Sequence, residues 1–255
     1  MLVLNGPLGR KFWGSLAGAL LVLWAALPAA AGTLEQADRL LFDPQVDNNK
    51  ALQAFTIYES LLPDAGPQRL AVLTRLARAA FFLGDLADGK ARRRYYEQGQ
   101  RFAEIIRQEF PARVEGHYWL GLNLAGLADA NRLQGPRLLP KIIGALERAA
   151  ALDPAYDQAG AYRVLGRIYY EAPGRPFSVG DISKALQLLE RATELAPANS
   201  TNHLYLAEAL LKQGRRDQAR TELNKVLNAS QNADGPRGLE ADRRQAQKIL
   251  AQDDF

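Results

Sequence analysis

The chain has 255 residues, 47% of them hydrophobic and 24% charged, with no cysteine and a formal net charge of +4. A chain of this length and apolar content buries a core of its own, and it does so without disulfides or cysteine-held metals. The charge is small and spread out. The one dense basic run, Arg92-Arg93-Arg94, is short enough to be a solvated helix face, so no nucleic-acid partner is expected.

Residues 1–31 read apart from the rest. Arg10 and Lys11 precede the apolar run 12–27, and Pro28 and Ala29-Ala30-Ala31 follow it. A basic flank, a short apolar stretch and a small-x-small site describe a secretory signal peptide, cut after Ala31. The alternative is an uncleaved anchor, but the run is short for a bilayer span, which takes about 20 residues. With no cysteine to carry a lipid, the processed chain is expected to be periplasmic or secreted and without a stable membrane anchor.

Residues 32–235 carry paired helical patterns. The first pair is 32–42, with Thr33 and Gln36 spaced as a capping box, and 49–62. The second is 70–83, stopped at Gly84-Asp85, and 86–110. The third is 114–131 and 141–152, separated at Gln134-Gly135-Pro136. The fourth is 158–171 and 181–195, split by the loop 172–178, where Ser178 or Asp181 caps the second helix and Lys184 points outward. The fifth is 202–213 and 217–227. Residues 236–255 form a capping helix (238–251) and tail. Pro111, Pro154 and Pro197 fall at equal 43-residue intervals, and Leu-small pairs recur at 76–77, 120–121, 165–166 and 206–207. Small residues let neighbouring helices approach, and the prolines end each second helix. The fold class expected is all-α: a right-handed α-solenoid of about five helix hairpins with a C-terminal cap.

The pattern Leu206-Ala207, Leu210, Gly214, Ala219, Leu223, Val226 resembles a tetratricopeptide repeat, and the preceding units resemble it with insertions. The strings 116–128, 152–181 and 202–212 are in turn similar to the TatT family, tetratricopeptide proteins associated with tripartite ATP-independent periplasmic (TRAP) transporters. That resemblance implies a periplasmic, non-enzymatic protein, often a homotrimer, that docks a substrate-binding protein and offers its ligand a path. This chain departs from the family in lacking a lipid-bearing cysteine.

No catalytic residue, metal ligand set or cofactor motif stands out. The string 84–91 has the spacing of a phosphate loop, but a helical pattern precedes it and Ala91 replaces the hydroxyl that would hold magnesium, so an inter-helix turn is the better reading. His117 and His203 each lie three residues before a Leu-small pair, which points to packing or a local hydrogen bond. The first helix of each pair lines the concave side of such a stack. The candidate contact residues there are Arg78, Phe81, Tyr118, Leu122, Arg163, Arg167 and Tyr170, continued by Leu204, Glu208 and Leu211. Arginine beside aromatic rings suits an anion on an apolar body, while pairing with neighbouring carboxylates is the plainer alternative. Phe177, in the 172–178 loop, is a candidate outer contact. The function expected is binding a partner protein. The alternatives are an envelope or outer-membrane assembly scaffold that holds peptide segments and, of another class, an enzyme with its site in 114–181.

Overall fold

The computed structural model describes residues 32–43, 45–131, 135–174 and 178–252. The signal-peptide reading of 1–31 and the contact assigned to Phe177 lie outside these residues. The described chain is helical: α1 (Leu34–Leu41), α2 (Asn48–Leu61), α3 (Arg69–Leu86), α4 (Gly89–Glu109), α5 (Val114–Ala130), α6 (Gly135–Leu152), α7 (Tyr156–Glu171), α8 (Ile182–Leu195), α9 (Ser200–Lys212), α10 (Arg216–Asn228) and α11 (Gly235–Gln252). Successive helices pair as five hairpins, each stacked on the next, and α11 packs on α9 and α10.

Local chemistry sets many of the starts. Thr33 and Gln36 make the reciprocal capping box. Asp47, Asp181 and Asn199 each accept the amide three residues on. Burial then holds the hairpins together. Leu73, Leu76 and Leu83 of α3, Leu146 of α6, Leu189 of α8 and Leu223 of α10 are fully buried, each contributing about 1.5–3 kcal/mol. The Leu-small pairs work through their small members: a Cβ on Gly121 would stand 2.7 Å from Leu146, and one on Gly166 2.6 Å from Leu189. Each glycine therefore opens the notch that the leucine of the following helix fills.

Several boundaries differ from the sequence reading. Helix α3 does not stop at Gly84 but runs to Leu86, because Gly84 is buried against the ring of Tyr96 and tertiary packing outweighs its low helix propensity. Helix α4 accordingly starts at Gly89. Helix α6 begins at Gly135, within the break expected at 134–136 and ahead of the start expected at Lys141, and carries Pro140 inside it. Helix α11 begins at Gly235. Of the two candidate caps of α8 it is Asp181 that accepts the Lys184 amide, at 3.0 Å. The Lys184 side chain bends back to donate to the Tyr169 hydroxyl at 2.6 Å rather than pointing outward.

The start of α7 is unusual. Asp157, Gln158 and Ala159 have φ of 50°, 57° and 62°, the left-handed region that costs a residue with a Cβ roughly 1–2 kcal/mol. Three side chains, one from α7 itself and two from α5 and α9, hold this turn. Arg163 donates to the Asp157 and Gln158 carbonyls, Asn202 donates to the Gln158 carbonyl at 3.1 Å, and Tyr118 donates its hydroxyl to Asp157 Oδ2 at 2.5 Å.

Candidate functional site

The first helices of the hairpins, α3, α5 and α7, line one side of a chamber of about 1040 Å³. The loop between α1 and α2 contributes Phe42 and Val46, and Tyr205 of α9 closes the other end. The opposite wall is the segment 232–244, the start of α11 and the turn before it. That segment is tied across the chamber. Arg78 of α3 donates to the Ala233 carbonyl at 3.2 Å, and Arg237 donates to the Val46 carbonyl at 2.5 Å. Behind it, Asn232 donates to Asp242 at 2.7 Å, and Asp242 also accepts from Ser200 and Thr201 at the start of α9.

The aromatic lining is continuous from Phe81 to Tyr118 and backed by Tyr156, which lies outside it. Phe81 lies 6.2 Å from Trp119, centroid to centroid, and Trp119 lies 5.3 Å from Tyr118, which lies 5.2 Å from Tyr156. The Trp119 indole donates to the Tyr156 hydroxyl at 3.2 Å, and burial raises that hydroxyl to about 12. The guanidinium of Arg78 sits over the rings of Phe42, at 4.7 Å, and Trp119, at 5.7 Å. A cation between two aromatic faces is held in place without being neutralised.

The structure brings the expected concave residues together, with one exception. Arg78, Phe81, Tyr118, Leu122, Arg163 and Arg167 all line the chamber, whereas Tyr170 lies outside the lining, beneath the Arg167 guanidinium at 5.1 Å. Their charges are not equivalent. Arg163 is 6% exposed and faces Asp157 Oδ2 at 3.3 Å. Arg167 is paired with both Glu208 and Glu171. Those two arginines are internally matched. Among the described residues, Arg78 has no carboxylate in ion-pair range and bonds only to a carbonyl. Of the continuation residues, Glu208 serves Arg167, Leu204 is buried among α10 and α11, and Leu211 packs beside Leu210.

The sequence reading missed the C-terminal wall. Asp234, Arg237 and Arg244 belong to the chamber, although their stretch reads as a turn and a cap. The available signal was the seven-residue spacing of Arg237 and Arg244, two turns apart on one helix face. Asp85 was also missed. It accepts the Tyr96 hydroxyl at 2.6 Å. The protein mass around Asp85 and Asp234 shifts both carboxyls above the ordinary carboxylate range, with Tyr96 opposing at Asp85 and Arg163 at Asp234, although both residues stay exposed to solvent. His203 lies away from the chamber, with Nδ1 2.6 Å from Glu222 and Nε2 2.8 Å from the Pro197 carbonyl. Among the described residues no group of three histidine, cysteine or acidic side chains could hold a metal ion. No helix among them is long and apolar enough to cross a membrane.

Comparison with known proteins agrees with this architecture. A family model described as "Tetratricopeptide repeat" matches residues 177–242, and one described as "Regulator of microtubule dynamics protein 1-3" matches residues 33–174. No curated protein matches. A solved thermophilic TPR protein of Thermus thermophilus superposes with a TM-score of 0.61 at 22% identity, over 80% of this chain and 92% of that one. MamA is similar at a TM-score of 0.46 and 20% identity, over 78% and 92%. Repeats of this class are typically non-catalytic scaffolds for protein partners. With more than half of its length matched, this tetratricopeptide-repeat chain belongs to the family described as Regulator of microtubule dynamics protein 1-3.

Proposed function

We propose that the chain is a non-enzymatic scaffold that works outside the cytoplasm and docks a TRAP-type substrate-binding protein, with the chamber open to that partner's ligand. The observation that carries this reading is the chamber itself. It is apolar in its body, ringed with arginine, and walled by the helices that such repeats turn toward their partners. The signal-like stretch 10–31 supports export, and the resemblance of 116–128, 152–181 and 202–212 to the TatT family supports the partner and a trimer. Direct binding is the test. Full-length chain, tagged at its C-terminus and purified from the envelope, is titrated with a purified TRAP substrate-binding protein. Micromolar or tighter binding is expected, and no heat of binding at high micromolar concentration sinks the reading. Recovery of outer-membrane assembly subunits from the same extract favours the assembly-scaffold alternative.

The family description supports a second reading, a partner in the microtubule cytoskeleton. Co-sedimentation of the chain with polymerised tubulin favours that reading. An N-terminus beginning at Gly32 in protein recovered from outside the cytoplasm counts against it.

A further inference from the structure

The wall formed by 232–244 is fastened unevenly. Its two ends are firm. Before it, the Ser200 amide donates to the Gln231 carbonyl at 2.9 Å, and the Gln231 amide donates to the Ala198 carbonyl at 3.1 Å. Asn232 and Asp242 then meet at 2.7 Å, and Asp242 also accepts from Ser200 and Thr201 at 2.6 and 2.7 Å. Arg243 donates to the Ala229 carbonyl at 2.9 Å. Beyond that point Ala246, Ile249 and Leu250 of α11 pack on Leu204, Leu223 and Val226.

Between these anchors the stretch 233–241 is held lightly. None of its residues is buried. It is the turn before α11 together with the first turns of that helix, and it contains Gly235, Pro236 and Gly238. Gly235 has φ of 73°, a conformation that glycine enters without strain, and Gly238 has low helix propensity. Among the described residues two hydrogen bonds tie the stretch to the facing wall. Arg78 donates to the Ala233 carbonyl at 3.2 Å, and Arg237 donates to the Val46 carbonyl at 2.5 Å. A segment with so little buried surface opens locally at far lower cost than the whole fold. Behind it lies the chamber of about 1040 Å³, with Trp119 and Leu122 on its inner wall only 4% and 8% exposed.

We propose that 233–241 is a gate on the chamber. It is closed while Arg78 and Arg237 hold the two carbonyls. It opens when both bonds break and the first turns of α11 unwind, as far as the Asn232–Asp242 bond, while the rest of α11 stays docked. The gate turns a repeat groove into a compartment with controlled access. This rests on the reading above only in taking the chamber as the binding site. Opening is measured without partner or ligand, so either result can fail alone.

The chain has no cysteine, so a single introduced thiol reports on one place. Leu122→Cys puts it on the inner wall, Leu52→Cys on the exposed side of α2, and Val226→Cys beneath the docked half of α11. Each full-length chain is reacted with fluorescein-5-maleimide, a bulky thiol reagent, without denaturant. With the gate closed, Leu122→Cys is expected to react about tenfold slower than Leu52→Cys or more, because labelling waits on the open population. Adding Arg78→Gln and Arg237→Gln is expected to speed Leu122→Cys by about tenfold or more, the effect of losing two bonds from charged donors. Val226→Cys is expected to stay slow in the same background. Ala125→Cys, also on the chamber lining, replaces Leu122→Cys if that chain loses its helical circular dichroism. An inner-wall thiol that reacts as fast as the exposed one in the closed chain overturns the proposal. So does an inner-wall rate unchanged by the double substitution. Equal acceleration of Val226→Cys also overturns it, since the whole hairpin would then be coming away.

Discussion

Tyr96 shows how tightly single residues are fitted here. Its ring is fully buried between α3 and α5, and a Cβ added to either Gly84 or Gly126 would come within 2.4 Å of it. Alanine would favour the helix by about 1 kcal/mol, but overpacking a closed core costs about 1–3 kcal/mol. Gly126→Ala is therefore expected to lower stability by up to about 2 kcal/mol, read as a lower urea midpoint at unchanged slope. Glu222 offers a pH test. Burial alone would raise its carboxyl, but hydrogen bonds from His203 and Lys225 outweigh burial and hold it below the ordinary range. A depressed carboxyl stabilises the fold above its unfolded value, near about 4.3, and that contribution is lost as pH falls through the folded value. Glu222→Gln is expected to destabilise by about 1–3 kcal/mol at pH 7. Thermal melts of variant and wild type should converge near pH 3, and a gap that persists there contradicts the assignment.

The left-handed start of α7 is the element on which two hairpins meet. It carries strain and is kept by Arg163, Asn202 and Tyr118, which reach it from α7, α9 and α5. Arg163→Met removes one donor from the Asp157 and Gln158 carbonyls and leaves the Asp157 carboxylate with the Tyr118 hydroxyl alone, a loss of about 3–5 kcal/mol for a broken buried pair. Amides of 157–162 are expected to exchange faster, while those of α3 and α4 stay protected. Protection unchanged at 157–162 would show that the turn is held by something else. None of this was legible beforehand, because Asp, Gln and Ala carry no left-handed signature and the Tyr118 and Asn202 bonds that help to enforce it come from 39 and 44 residues away. The hairpins themselves were legible, since equal proline intervals and Leu-small pairs are local marks of a repeated packing unit. Gly84 misled for a physical reason: glycine reads as a helix end unless the bulky partner filling its notch is known. The concave residues could be found by counting from each pair, but which arginine lacked a carboxylate depended on the kink that turns Asp157 toward Arg163 and on Glu208, brought to Arg167 from α9.

At the scale of the whole repeat array, the terminal hairpins are not independent. A linear stack passes stability only between neighbours, yet here Arg237 meets Val46 and Arg78 meets Ala233 across nearly the full described length. Wild-type chain is expected to unfold in urea as one transition. The double variant Arg78→Gln, Arg237→Gln uncouples the ends and is expected to give two transitions, with the C-terminal hairpin melting first. A single sharp transition in that variant would mean that neighbour packing alone supplies the cooperativity.

Hairpin stacks ordinarily behave as springs, each joint yielding a little under load. Two hydrogen bonds that join the C-terminal segment to the opening loop and to α3 act here as a clasp on the spring. Pulling or twisting the outer surface cannot extend the coil until the clasp slips, and when it slips the hollow behind it opens in the same movement. A load strong enough to break the clasp would therefore also part the chamber's two walls.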